Sequence, residues 1–286
     1  MQFNKPDTGK RIVEGIILSL IPLVLASIFY LVPVPVQQTL ALDHTDPVLY
    51  TFWTNSLIHS HQSGSGHLIN NIVWYSLIIF PCWSLYCFLD ERRKFWSGFF
   101  ILILFAPLVA SLSSYVIFEV IMDFGIRADR GFSGVVGAVG GFLLMSIITT
   151  FVREQGEKVS VLSVGLYFSI LVLQLGISTS RKLWTSVGLI SLTIVSAGSN
   201  TEYLSSFQKL QNWMTENSRL SILILMCVFV SVMVFAASLP SNIVSSSGGL
   251  KNIVAHGAGL LFGMGVQIYL SNYSTASKAM FRKQTS

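Results

Sequence analysis

Long apolar stretches alternate with short polar ones along the whole chain. The apolar runs cover residues 12–36, 67–89, 95–118, 133–152, 159–177, 183–199, 220–239 and 253–271. Each is near the roughly 20 residues that a helix needs to cross the hydrocarbon core of a bilayer. None alternates polar and apolar positions as a barrel strand would, so each must satisfy its own backbone as a helix. The pattern predicts an all-α, polytopic transmembrane helix bundle of eight spans, one membrane domain over 1–286. The shortest run, 183–199, is also rich in Ser and Thr. The first run is too long for a signal-peptide core and reads as a retained span.

The connections carry the charge. With the N-terminus placed inside, outside segments hold only Arg127, Arg130, Arg181, Lys182 and Lys251 of the 18 Lys and Arg. The other 13 fall inside, which follows the positive-inside rule and puts both termini in the cytoplasm. Composition agrees with the pattern. Charged residues are 11% of the chain, less than half the share of a soluble domain, so it cannot wet the surface of a globule of this size. The net charge of +5 belongs to topology rather than to nucleic acid, and no nucleic-acid partner is expected. Cys82, Cys87 and Cys227 sit in apolar stretches without Cys-x-x-Cys spacing and read as buried small hydrophobes.

Two connections are long. Residues 37–66 form an outside loop with Asp43, His44, Asp46, Trp53, His59 and His61. Residues 200–219 form an inside linker, with Leu210 and Trp213 placed to rest against lipid. Residues 272–286 read as a cytoplasmic tail. Pro107 inside the third run predicts a kink at a packed interface.

Polar groups inside spans are costly and mark functional candidates. Three sets stand out, each at the outer start of a span that runs inward. The first is His67 with Asn71, one helical turn apart and on one face. The second is Gly131-Phe132-Ser133-Gly134, and the third is Ala255-His256-Gly257-Ala258-Gly259. Below Ser133, Gly137 and Gly141 continue its helix face; below His256, Gly259 and Gly263 continue that one. Glycine stripes let two helix backbones approach closely in a membrane. Packed together, they bring Ser133 and His256 to one height, as a serine nucleophile and its general base require. His67, Asn71 and the Ser133 N–H can then face the oxyanion. Three spans separate 133–152 from 253–271, which keeps both helices parallel, so 183–199 must cross.

Each residue alone has an ordinary role. Ser133 can be an N-cap, His256 a packing histidine, and His67 and Asn71 interhelical glue. Asn252, one turn before His256, is placed to orient the imidazole but reads more simply as a loop cap. No carboxylate falls where it would serve His256, which predicts a dyad rather than a triad. His59, His61 and His67 invite a metal, yet His59-x-His61 points to different helix faces and lacks supporting ligands, so no metal is expected.

In these residues the chain resembles the rhomboid family of intramembrane serine proteases. Gly131-Phe132-Ser133-Gly134 is similar to the family's Gly-x-Ser-Gly. Ala255 to Gly263 is similar to its Ala-His-x-x-Gly-x-x-x-Gly, and His67 to Asn71 to its His-x-x-x-Asn, with His59 as its preceding histidine. The resemblance covers a six-span core over 12–152 and 220–271, with 159–199 an inserted helix pair. It implies Ser133 as nucleophile, His256 as general base, and His67, Asn71 and the Ser133 N–H as oxyanion hole. It implies hydrolysis of peptide bonds in or beside transmembrane segments, no cofactor, an active site toward the outer face, and transmembrane proteins as substrates met within the lipid bilayer. The run 220–239 and the segment 240–252, with Gly248-Gly249 as its joint, are the expected substrate gate. The chain departs from the family in having Gly137 where an aromatic is common, Thr54 after Trp53 in place of a Trp-Arg pair, and extra residues at 60–66. Two other functions compete. A rhomboid-like helix-binding pseudoprotease would have lost the serine or the histidine. A small-solute transporter would carry midplane acids, whereas Glu14, Glu119 and Glu154 lie near span ends.

Overall fold

The structure, a computed structural model, describes residues 8–61, 64–123, 125–126, 128–151, 153, 211–238 and 252–284, together with residues 169, 188–190 and 208. The predicted spans 159–177 and 183–199 and the gate segment up to Lys251 therefore lie outside the described residues, apart from residues 169 and 188–190. The elements are α1 (Thr8–Leu31), α2 (Val34–Thr39), α3 (Thr51–Thr54), α4 (Gly66–Phe88), α5 (Arg92–Tyr115), α6 (Ser133–Phe151), α7 (Ser218–Ser238) and α8 (Ile253–Gln284). A 3₁₀ turn follows α3 at Asn55–Leu57, and α5 runs on into a π-helical turn at Val116–Ile121. Among the described residues no strand forms; Leu42 and Asp129 make an isolated antiparallel bridge.

By length and composition, α1, α4, α5, α6 and α8 can each cross a membrane. That fits a multi-pass membrane protein built as a helix bundle. α6 is the central helix: 72% of its spanning window is buried, against 17% for α1 at the periphery. α8 lies along α5 and α6, and α4 lies between α1 and α7. Side chains from these helices form one apolar core, including Leu25, Tyr75, Ile78, Phe99, Val139, Phe142 and Cys227. A polar thread crosses it. The Tyr86 hydroxyl lies 2.8 Å from Ser146 Oγ and donates to Gln267 Oε1 at 2.7 Å, and Gln267 donates to Thr149 at 3.1 Å. These bonds satisfy polar atoms that burial would otherwise penalise.

Polar contacts fix which helix ends lie together. At one end, Glu14 of α1 accepts from the indoles of Trp83 (2.8 Å) and Trp96 (3.3 Å), and Glu91 pairs with Arg153 at 2.8 Å. That end gathers the start of α1, the end of α4, the start of α5 and the end of α6. The starts of α4, α6 and α8 gather at the opposite end, which carries the candidate site.

Two boundaries differ from the sequence pattern. The first helix ends at Leu31, not at 36, because Pro33 and Pro35 cannot continue it. Pro33 instead caps α2, and Gln37 turns back to donate to the carbonyls of Phe29 and Val32 that α1 leaves open, and to that of Ile28, which also accepts the Val32 N–H. The segment 272–286, expected as a tail, is helical as far as Gln284. Ala276, Lys278, Ala279, Met280, Arg282 and Lys283 favour helix, and no Gly or Pro stops it. In the linker, residues 211–216 are helical, and Trp213, expected against lipid, packs against the protein core; Leu210 lies outside the described residues. Pro107 is buried within α5, and the Trp53 indole donates to the carbonyl of Leu104 beside it at 3.0 Å.

Candidate active site

Glycine sets the distance between α6 and α8. A methyl group built on Gly137 would stand 2.8 Å from the carbonyl oxygen of His256. On Gly141 it would overlap the carbonyl of Leu260, on Gly259 that of Gly134, and on Gly263 that of Ala138. Gly134 faces the carbonyl of Ala255 in the same way, at 3.4 Å. The two backbones therefore touch along both predicted stripes. The pairing Gly134 with Ala255, Gly137 with His256 and Gly141 with Leu260 is that of parallel helices. Taken with Gly259 against Gly134 and Gly263 against Ala138, this register sets side by side the first turns of α6 and α8, which carry Ser133 and His256. Ser133 opens α6 half-buried, where a helix N–H has no carbonyl in a preceding turn. It lines a small pocket with Ser56, Ser111, Asp129, Gly131 and Asn252.

α4 brings the third set. His67 Nε2 lies against Gly131, two residues before Ser133: a methyl group there would be 3.2 Å from it. Gly131 holds φ at +134°, a conformation that side chains rarely adopt, so this approach needs glycine twice over. Asn71 is buried one turn below His67. Its Nδ2 donates to His59 Nε2 at 2.9 Å and lies 3.4 Å from His67 Nε2. His67 also lies close enough to His256 for the two imidazoles to interact electrostatically. The predicted residues of all three sets thus meet at one end of the bundle.

No family model, curated protein or solved structure matches the chain. The chemistry of this end therefore rests on its own geometry. It offers a hydroxyl at a helix start, an imidazole in the first turn of the neighbouring helix, and a second imidazole and an amide beside the serine lead-in.

His59 and His61 part company. His61 stacks on Phe29 with ring centroids 4.1 Å apart and bonds to Gln37 Oε1 at 3.1 Å. His59 is buried against the other side, its ring 5.5 Å from that of His67. Burial, and then the neighbouring His67, push the His59 imidazole from 6.5 down to about 3, which keeps it neutral as the acceptor for Asn71. The sign for stability follows. Between pH 6.5 and about 3 the unfolded chain binds a proton at His59 that the folded chain refuses, so acid favours unfolding. The thermal unfolding temperature in detergent is expected to fall as pH drops through that window, and His59→Gln to flatten that fall. An unchanged slope in the variant would show that His59 does not report this burial.

One cluster has no counterpart in the sequence reading. Asp129, four residues before Ser133, is half-buried and accepts from Ser114 Oγ (2.7 Å), Asn252 Nδ2 (3.0 Å) and His44 Nε2 (3.2 Å). Burial alone would raise its carboxyl, but bonds from His44, Ser114 and Asn252 hold it below the ordinary 3.8. Asn252 also donates to Ser114 Oγ at 2.7 Å, and its Oδ1 accepts the Ala255 N–H at 2.9 Å. It is the N-cap of α8, as expected of it. The sequence signal for Asp129 was faint: one acid in a short connection just ahead of the serine motif.

The loop around this cluster is stitched to the serine lead-in by its backbone. Leu42 and Asp129 exchange hydrogen bonds of 3.1 and 2.9 Å, the His44 N–H donates to Ile126 at 2.8 Å, and the Gly131 N–H donates to Asn55 at 2.9 Å. Residues 37–61 are thus a built wall of the site, with Thr51, Phe52, Asn55, Ile58 and His59 buried.

Proposed function

We propose that this protein is a rhomboid-like intramembrane serine endopeptidase that hydrolyses peptide bonds in or beside transmembrane segments. The observation that carries the proposal is the glycine-lined contact of α6 and α8, which brings together the first turns that hold Ser133 and His256. In this reading the bundle has eight spans, a rhomboid-like core with 159–199 as an inserted pair, cytoplasmic termini, and a site facing outward.

The reaction is acyl transfer. Ser133 Oγ attacks the scissile carbonyl carbon while His256 takes the hydroxyl proton. The carbonyl oxygen gains the charge and is met by the Ser133 N–H, by His67 and by Asn71. Asn71 has two amide hydrogens. One is held by His59 at 2.9 Å; the other, 3.4 Å from His67, makes a long bond that a substrate oxygen can replace. The tetrahedral adduct collapses, His256 passes its proton to the leaving amine, and the acyl–Ser133 ester remains. Water, deprotonated by His256, then releases the acid and restores the serine. Water reaches Ser133 from the polar pocket beside it.

The test combines labelling with cleavage. The purified protein is expected to take up a fluorophosphonate at Ser133 and to cut a model transmembrane substrate in liposomes. Folded protein that does neither would leave the helix-binding pseudoprotease as the surviving alternative. The oxyanion assignment carries its own expectation. Loss of a single such donor typically costs about 10²–10³ in kcat. Asn71→Ala should show a fall of that order at nearly constant KM, measured on the same substrate.

A further inference from the structure

One carboxylate joins the two halves of the proposed dyad. Asp129 stands four residues ahead of Ser133, in the segment that leads into α6. The same side chain accepts from Asn252 at 3.0 Å, and Asn252 caps the helix whose next turn carries His256. The His256 N–H in turn donates to the Asn252 carbonyl at 3.3 Å. The path from nucleophile to base is therefore short: the backbone from Ser133 back to Asp129, the Asn252 amide, the first turn of α8, His256. Ser114 of α5 closes a triangle with them, donating to Asp129 at 2.7 Å and accepting from Asn252 at 2.7 Å. His44 completes the set at 3.2 Å, and the Leu42–Asp129 bridge fixes the carboxylate's own backbone.

We infer that Asp129 is a positioning residue for His256, acting through the Asn252 cap, and that Ser114 and His44 hold its carboxylate for that task. The inference rests on the protease reading above. Two features separate it from general packing. The glycine contacts at Gly259 and Gly263 lie one to two turns below and hold α8 on α6 whether or not the cap is tied. The cap governs only the turn from Asn252 to His256. A base displaced by about 1 Å can lose on the order of 10²-fold in rate while the fold stands. The contact also has the right chemistry: a charged acceptor makes shorter and stronger bonds than a neutral one, so Asp129 orients the Asn252 amide with its NH₂ outward and its carbonyl toward the Ala255 N–H.

The experiment uses the full chain in detergent or liposomes and compares Asp129→Asn, Asp129→Ala, Asn252→Ala and the double variant Asp129→Asn/Asn252→Ala. Two readouts are taken: the rate of fluorophosphonate labelling and substrate cleavage, and hydrogen exchange of the peptide carrying Ala255 and His256. Loss of either side chain is expected to lower kcat roughly tenfold to a hundredfold with KM nearly constant, and to speed exchange at Ala255. The double variant should be no slower than the worse single one, because both changes cut one connection. Additive losses would overturn the inference, as would faster exchange at wild-type kcat, which would leave Asp129 a structural residue only. Wild-type protein that neither labels at Ser133 nor cleaves would overturn the protease reading and this inference with it. Ser133-dependent labelling at an unchanged rate in all four variants would overturn this inference alone.

Discussion

Ser133→Ala and His256→Ala are each expected to reduce cleavage of a transmembrane substrate by about 10⁴–10⁶-fold, and the double variant is expected to be no worse. Nucleophile and base act as one unit, so removing either leaves only what binding and the oxyanion donors supply. The fold should survive both changes. Ser133 is half-buried at the head of α6, and its loss opens no cavity in the core. His256 meets Gly137 through its backbone carbonyl, which alanine keeps, so the contact between the helices stays. Alanine is also the best helix former for that first turn. The measurement is gel-based cleavage beside thermal unfolding of the same preparations. Wild-type turnover in Ser133→Ala would remove this serine from any covalent mechanism. Loss of turnover together with a large drop in unfolding temperature would mark Ser133 as a structural cap.

Much of this end of the bundle was legible in the sequence because its signals are local. Histidine and asparagine one turn apart, serine above Gly137 and Gly141, and histidine above Gly259 and Gly263 are spacings on single helices. Helix periodicity turns such spacings into faces. The contact between the faces followed from the small-residue rule. The fine ending of α1 was less legible, because hydropathy counts Val34 and Val36 as span residues. Proline's missing N–H sends the chain instead into α2, with Gln37 serving the orphan carbonyls. The long helix α8 was missed for a similar reason. A polar stretch after a span resembles a tail, whereas helix formers without a stop signal carry the helix on. Asp129 was out of reach. Its partners His44, Ser114 and Asn252 lie on three separate segments, 85, 15 and 123 residues away along the chain. No spacing rule spans that range. The split of His59 from His61 was only half visible: different faces were expected, but the Phe29 ring that takes His61 lies on α1.

Glycine at 259 and 263 should matter more than any other small residue in α8. A single methyl group at Gly263 would overlap the carbonyl of Ala138, and at Gly259 that of Gly134. Neither obstacle is a flexible side chain, so accommodation requires two helix backbones to move apart. Overpacking of this kind costs about 1–3 kcal/mol and more where backbone must shift. The displacement also separates the heads of α6 and α8, so labelling of Ser133 should fall further than stability does. Gly265 supplies the control. It lies on the same helix with nothing within 4 Å of a built methyl group. There, alanine should be neutral or stabilising by about 0.5–1 kcal/mol, since glycine weakens a helix interior by that amount. Thermal unfolding and fluorophosphonate labelling of Gly259→Ala, Gly263→Ala and Gly265→Ala test the contrast directly. Equal effects at 263 and 265 would mean that the stripes do not touch, and the approach of the two helix heads would lose its physical cause. A drop confined to 259 and 263, with activity lost ahead of fold, is what a backbone contact that sets the geometry of a dyad should give.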